Sequence, residues 1–126
     1  MVSFEILDHE AATVLRITGA VQSGENEALV AKLAELARTG PRRLVIDAGR
    51  VDYVNSRAVG DLTSFYNEMR KAGGEMALAG LQPRVEKILR AVGLAGLVPV
   101  FPSSEEAELL WARQRRRPRR SGEGKQ

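Results

Sequence analysis

The sequence predicts an α/β domain built on one mixed sheet, with elements in the order β-β-α-β-α-β-α-β-α and helices packed on one face. Three observations lead there. Two short β-type runs, Ser3 to Leu7 and Thr13 to Thr18, flank the polar Asp8-His9-Glu10-Ala11 and read as an antiparallel hairpin. From Ser23 onward, short apolar runs alternate with stretches whose apolar residues recur at i, i+3, i+4 and i+7. Such alternation makes β-α-β crossovers, which are right-handed, and a hairpin joined to them gives a sheet of mixed direction.

The elements follow in order. Gly19 ends the second strand, and Ser23 caps a helix with Glu25, Asn26 and Glu27 in its first turn. Leu29, Leu33, Leu36 and Ala37 give that helix one apolar stripe through Arg38, and Gly40-Pro41 stops it. Leu44 to Asp47 is a nearly continuous apolar run, suited to a central strand covered on at least one face. A turn around Gly49 then leads to a helix carrying Ala58, Leu62, Phe65 and Met69, which runs to about Lys71. Gly73-Gly74 reverses the chain into a strand over Met76 to Ala79, closed by Gly80. Pro83 opens the next helix, with Val85, Ile88, Leu89 and Val92 inward and Gly93 as its C-cap. Leu97 to Phe101 forms a last strand, edged by Pro99. Ser103 and Ser104 precede Glu105-Glu106 and open a final helix with Ala107, Leu110 and Trp111 inward.

A chain of 126 residues, 44% of them hydrophobic, supports one domain with a real core. It has no cysteine and one histidine, which leaves no disulfide, thiolate site or histidine-rich metal site. No apolar run reaches the ~20 residues that span a bilayer, and Met1 to Glu5 does not open like a signal peptide, so a cytoplasmic setting is expected. The net charge of +3 averages two unlike parts. Residues 1–112 hold twelve basic and fifteen acidic residues, whereas residues 113–126 hold seven basic and one acidic. The domain is therefore mildly acidic and ends in a basic tail that is expected to be disordered. Such a tail can meet RNA, DNA or anionic lipid by charge, but no aromatic residue lies among its arginines to support specific nucleic-acid recognition.

Asn55 and Ser56 fall where a helix N-cap belongs, because their side-chain oxygens can accept the free N–H groups of the first turn. A serine hydroxyl at the positive end of a helix is also a place for a phosphate. On the residues alone both readings stand, a plain cap and a modification site. In small α/β sheets the working surface lies at the carboxyl ends of the strands. Here that edge is expected to carry a Gly49–Asn55 loop and the start of the Ser56 helix.

Catalysis finds little support. Asp47, Asp52 and Asp61 lie close in sequence, yet ordinary exposed acids account for them as well as a magnesium site does. His9 sits alone in a polar turn, so no Ser/His/Asp triad can be assembled. Neither a GxGxxG nor a GxxxxGK[ST] loop occurs. No cofactor is expected. A receiver-like response regulator fits the length and places Asp47 at a strand end, but its acidic pair after the first strand is missing, since Leu7-Asp8-His9-Glu10 supplies only a turn.

The run Leu44-Val45-Ile46-Asp47, followed by Val51-Asp52-Tyr53-Val54-Asn55-Ser56-Arg57-Ala58-Val59-Gly60, resembles the hallmark of STAS domains, the bacterial anti-sigma-factor antagonists and their relatives. Gly19, Gly73-Gly74, the strand to Gly80, the Pro83 helix with Gly93-Leu94, and Ser104-Glu105-Glu106-Ala107 extend the likeness over roughly residues 3–112. The resemblance implies a STAS domain at 1–112, followed by the basic tail at 113–126. It implies a protein–protein switch that binds an anti-sigma factor acting also as a serine kinase, is phosphorylated on Ser56, and is reset by a phosphatase. It places partner binding at Gln22, Tyr53, Asn55, Ser56, Arg57 and Val59. Three positions depart from the family pattern: the usual acid before the serine is Asn55, the following Ser-Gly is Arg57-Ala58, and the acidic loop pattern near Gly19 is Ala20-Val21-Gln22. These departures leave open a non-phosphorylated scaffold of a stress-signalling complex and a STAS subunit of a lipid-transport ATPase.

Overall fold

Each strand of the sheet lies beside the next strand of the chain. The computed structural model describes residues 1–116; the first four residues of the expected tail, Arg113 to Arg116, are helical instead of disordered, and the rest of the tail lies outside the described residues. Strands β1 (Ser3–Asp8) and β2 (Thr13–Val21) form the antiparallel hairpin. β3 (Arg43–Val54), β4 (Glu75–Ala79) and β5 (Val100–Phe101) then add in parallel, giving the order β1-β2-β3-β4-β5. The connections are α1 (Asn26–Thr39), α2 (Ser56–Lys71), and α3 (Pro83–Ala91) with a short α4 (Leu94–Leu97); α5 (Ser104–Arg116) follows the last strand. The mixed α/β order read from the sequence is the observed one, with α4 added.

A sheet that grows in one direction through right-handed crossovers receives every crossover helix on the same face. Leu15, Leu44, Ile46, Met76 and Leu78 accordingly pack against Leu29 and Leu33 of α1, Leu62 and Tyr66 of α2, and Val85 and Leu89 of α3. The neighbouring residues of the same strands point the other way. Val14, Val45, Ala77 and Ala79 pack with Ala107 and Trp111 of α5. The expectation of helices on one face therefore holds for the crossovers, whereas α5, the last of the described elements, covers the opposite face. Alanines at 77 and 79 leave room for the indole there. Arg43 fastens it, donating from Nη1 to the Trp111 carbonyl at 3.1 Å and lying 5.7 Å from the ring centre.

Strand β3 continues where the sequence suggested a turn. Asp47 pairs with Arg16 and Ala79, but the next β2 partners are Thr18 with Arg50 and Ala20 with Tyr53. At each of these two steps β3 carries one residue more than β2, as in a bulge. The slips turn Ala48, Val51 and Val54 inward at a spacing of three, so the period-two signature of a strand is lost. Gly49 sits at the first slip, where its N–H donates to Asp47 Oδ1 at 3.0 Å and a Cβ would come within 3.3 Å of that oxygen.

Other boundaries also shift. β2 runs through Gly19, whose φ is +109°. A Cβ on Gly19 would stand 2.6 Å from the Met1 carbonyl oxygen, so only glycine fits there. Ser23 does not cap α1; the chain makes a turn closed by Glu25 N–H on the Gln22 carbonyl, and the helix starts at Asn26. The C-cap of α3 is Val92, with Gly93 one residue beyond at φ +85°, and Val92 is exposed instead of inward. Leu97 belongs to α4, which shortens the last strand to two residues.

Candidate functional site

The carboxyl ends of β2, β3 and β4 lead into the N-termini of α1, α2 and α3, so three positive helix ends gather at one edge of the sheet. The two slips in β3 carry its last residues beyond the end of β4, and α2 begins from that extension. The expected Gly49–Asn55 loop is thus strand as far as Val54, and only Asn55 separates that strand from Ser56.

Asn55 is the N-cap of α2. Its backbone is extended, at φ −89° and ψ 173°, and its Oδ1 accepts the Ala58 N–H at 2.9 Å. Its own N–H donates to the Val21 carbonyl at 2.9 Å, tying the cap to the end of β2. The side-chain amide meets a second amide, since Asn26 Nδ2 donates to Asn55 Oδ1 at 3.0 Å and Asn55 Nδ2 donates to Asn26 Oδ1 at 2.9 Å. Asn26 is only 5% exposed, so both of its bonds matter: a buried amide left unpaired costs about 1–3 kcal/mol. The pair locks the first residue of α1 to the cap of α2.

Ser56 is the first helical residue of α2 and is exposed, as is Arg57 beside it. The first turn of α2 contains no acid. Among the described residues the Ser56 hydroxyl has no hydrogen-bond partner, so it is the Asn55 side chain that does the capping. Gln22 is exposed at the end of β2, across from the cap. Tyr53 is half-buried, with the Arg84 guanidinium 5.1 Å from its ring centre. Gln82 also reaches β3, donating from Nε2 to the Gly49 carbonyl at 3.1 Å. Val59 is turned into the core at 8% exposure; it backs the edge and offers little to a partner.

Sequence reasoning missed Asn26 and Arg84. Asn26 looks like any polar residue of a first turn, and only its burial marks it. Arg84 follows a helix-opening proline with nothing to show that it stacks on a tyrosine in another element.

The acids do not converge. Asp47 lies inside β3, not at its end, and its carboxylate is engaged by Gly49 N–H and by Arg16 Nε at 3.3 Å. Such a carboxylate is a structural brace, which removes the main support for a receiver-like phosphoacceptor. Among the described residues no group of three His, Asp or Glu side chains is placed to hold a metal ion. His9 pairs across the sheet end with Glu108 of α5, Nδ1 to Oε1 at 2.7 Å. No helix among the described residues is long and apolar enough to cross a membrane.

Residues 3–107 match the model of the STAS domain family. The chain belongs to that family. BtrV of Bordetella bronchiseptica is 34% identical over 91 residues, covering 72% of this STAS domain protein and 78% of BtrV. The anti-sigma-F factor antagonist RsfA of Mycobacterium tuberculosis is 28% identical over 105 residues, covering 81% of each chain. Among solved structures, an anti-sigma factor antagonist from Mycobacterium paratuberculosis matches with a TM-score of 0.81 at 20% identity, over 89% of this chain and 95% of the other. The Bacillus cell-fate determinant SpoIIAA in its phosphorylated form matches with a TM-score of 0.65 at 21% identity, over 83% and 96% of the two chains. Both structures share the fold of this STAS domain.

Proposed function

We propose that this STAS domain is an anti-sigma-factor antagonist: it binds an anti-sigma factor through the edge where α2 begins, and phosphorylation of Ser56 switches that binding off. The observation that carries the proposal is the Ser56 hydroxyl, exposed and unpartnered at the first position of a helix that Asn55 already caps. Modification there removes no bond the fold depends on. A phosphate adds about −1.5 to −2 charges, and a helix N-terminus without acids accepts it. The effect falls on the partner, which meets new bulk and negative charge at the centre of its contact surface.

The proposed contact surface is Gln22, Tyr53, Asn55, Ser56 and Arg57, with Arg84 added through its stacking on Tyr53. The partner is an anti-sigma factor that is also a serine kinase, a phosphatase resets the switch, and the STAS domain itself is not a catalyst. Relatives named anti-sigma factor antagonists support the class of partner. With the neutral Asn55 before it, Ser56 starts without a neighbouring negative charge on that side, so the phosphate itself supplies it, and Arg57 lies within one residue to pair with the phosphate.

Arg57 and Ala58 also favour a second reading, in which Ser56 is never modified and the same edge serves as a constant contact in a scaffold or transport complex. Intact-mass measurement separates the two. With the co-encoded kinase and ATP, the wild type gains one phosphate and Ser56→Ala gains none. A stable complex with an unmodified Ser56 under every co-encoded kinase selects the constant contact.

A further inference from the structure

Away from the Ser56 edge, α1 and α2 run side by side and leave a groove of roughly 710 Å³ between them. Its walls are helical stripes. Val30, Ala34 and Ala37 follow one another at four- and three-residue steps along α1; Phe65 and Met69 line the α2 side. Val30 is 40% exposed, and the small alanines leave the groove open beside it. The charged residues of the α2 wall are acidic, with Ser64 between them. Asp61 and Glu68 stand seven residues apart, hence on one side of the helix, and Asp61 Oδ2 is buried without a hydrogen-bond partner among the described residues. Glu68 has Lys71 at 3.8 Å, both well exposed, and Arg42 closes the far end of the groove.

We infer that this groove is a second docking surface, and that its occupant is an amphipathic basic helix of a partner protein. The apolar stripes extend over about two turns on the α1 wall and just over one on the α2 wall, and laying a helix into such a groove buries its apolar seam against both. Charge decides which helix fits. A lysine or arginine on its α2-facing flank lies against the Asp61 and Glu68 side chains, and bonds between such opposite charges are the stronger kind. An acidic helix meets Asp61 and Glu68 as like charges and is rejected. The surface is independent of Ser56, which lies at the other end of α2, so it can hold a partner in either phosphorylation state.

The test uses the full chain, isotope-labelled for amide NMR and titrated with two synthetic 14-residue helical peptides. One has leucine on one face and lysine on the other; its twin carries glutamate in place of lysine. The expected result is saturable binding of the lysine peptide, with shifts centred on Val30, Ala34 and Phe65 and none at Ser56, and no binding of the glutamate twin. Ala34→Arg, at an exposed position that tolerates bulk, should abolish binding. Asp61→Asn should weaken it about tenfold, the worth of one charge-assisted bond. Glu105→Gln, on α5 at the opposite face, should leave it unchanged. The inference is overturned if both peptides bind alike, if the shifts centre on the Ser56 end, or if Glu105→Gln weakens binding as much as Asp61→Asn. It is also overturned if monomeric dodecyltrimethylammonium shifts the groove residues while the lysine peptide does not, which would assign the groove to a small cationic amphiphile.

Discussion

Two attachments to the sheet differ in kind. On one face α5 is held by an indole: Trp111 is 4% exposed, set against Val14, Val45, Ala77 and Ala79, with Arg43 over its ring. At the carboxyl edge α2 is held by amides, through Asn55 to Ala58, to Val21 and to Asn26. The apolar contact is broad and non-directional, so it supplies stability and tolerates small displacements. The amide contacts are few and directional, so they contribute less energy but fix the position of the next residue, Ser56. A regulatory surface built on the second kind can change its charge without loosening the fold.

The largest expected effect tests the apolar side. Trp111→Ala should cost about 3–5 kcal/mol of stability, seen as a lower urea midpoint, because the sheet face it covers cannot collapse onto alanine. If the comparison is right, whatever folded protein remains should take up the phosphate proposed for Ser56 as fast as the wild type does.

On the polar side, Asn55→Ala should cost about 1–2 kcal/mol, since it removes the cap and strands the Asn26 amide. Combining it with Asn26→Ala in a double-mutant cycle should show coupling of about 0.5–1.5 kcal/mol; additive costs would mean that the two amides do not act as a unit. A smaller effect is expected for Asn55→Asp, which keeps the bond to Ala58 but turns a donor into an acceptor facing Asn26 Oδ1. Its cost should stay below about 1 kcal/mol, because the new charge is favourable at a helix N-terminus. In thermal melts the wild type, Asn55→Asp and Asn55→Ala should follow in that order of decreasing stability.

The smallest change in stability should carry the largest change in binding. Ser56→Asp should alter the unfolding free energy by no more than about 0.5 kcal/mol, as an exposed substitution at an acid-tolerant position. It should nonetheless weaken the proposed complex with an anti-sigma factor at least tenfold in titration calorimetry. Unchanged affinity would move the partner surface away from the start of α2.

The sequence by itself determined what depends on neighbours within a few residues. The alternation of strand and helix, the apolar stripes of α1 and α2, the proline at the start of α3 and the cap at Asn55 were all legible, because capping and helical periodicity are local. So was the family, carried by the run through Asn55 and Ser56. Tertiary structure alone decided the rest. Two register slips carried β3 past Gly49 and hid it from a period-two reading, and the end of the crossovers freed α5 to take the opposite face. The Asn26–Asn55 pair joins residues 29 positions apart, and Arg84 meets Tyr53 only because α3 starts beside the extension of β3. Contacts between distant segments depend on how the layers stack, and no local pattern encodes which buried amide or exposed arginine will find a partner there.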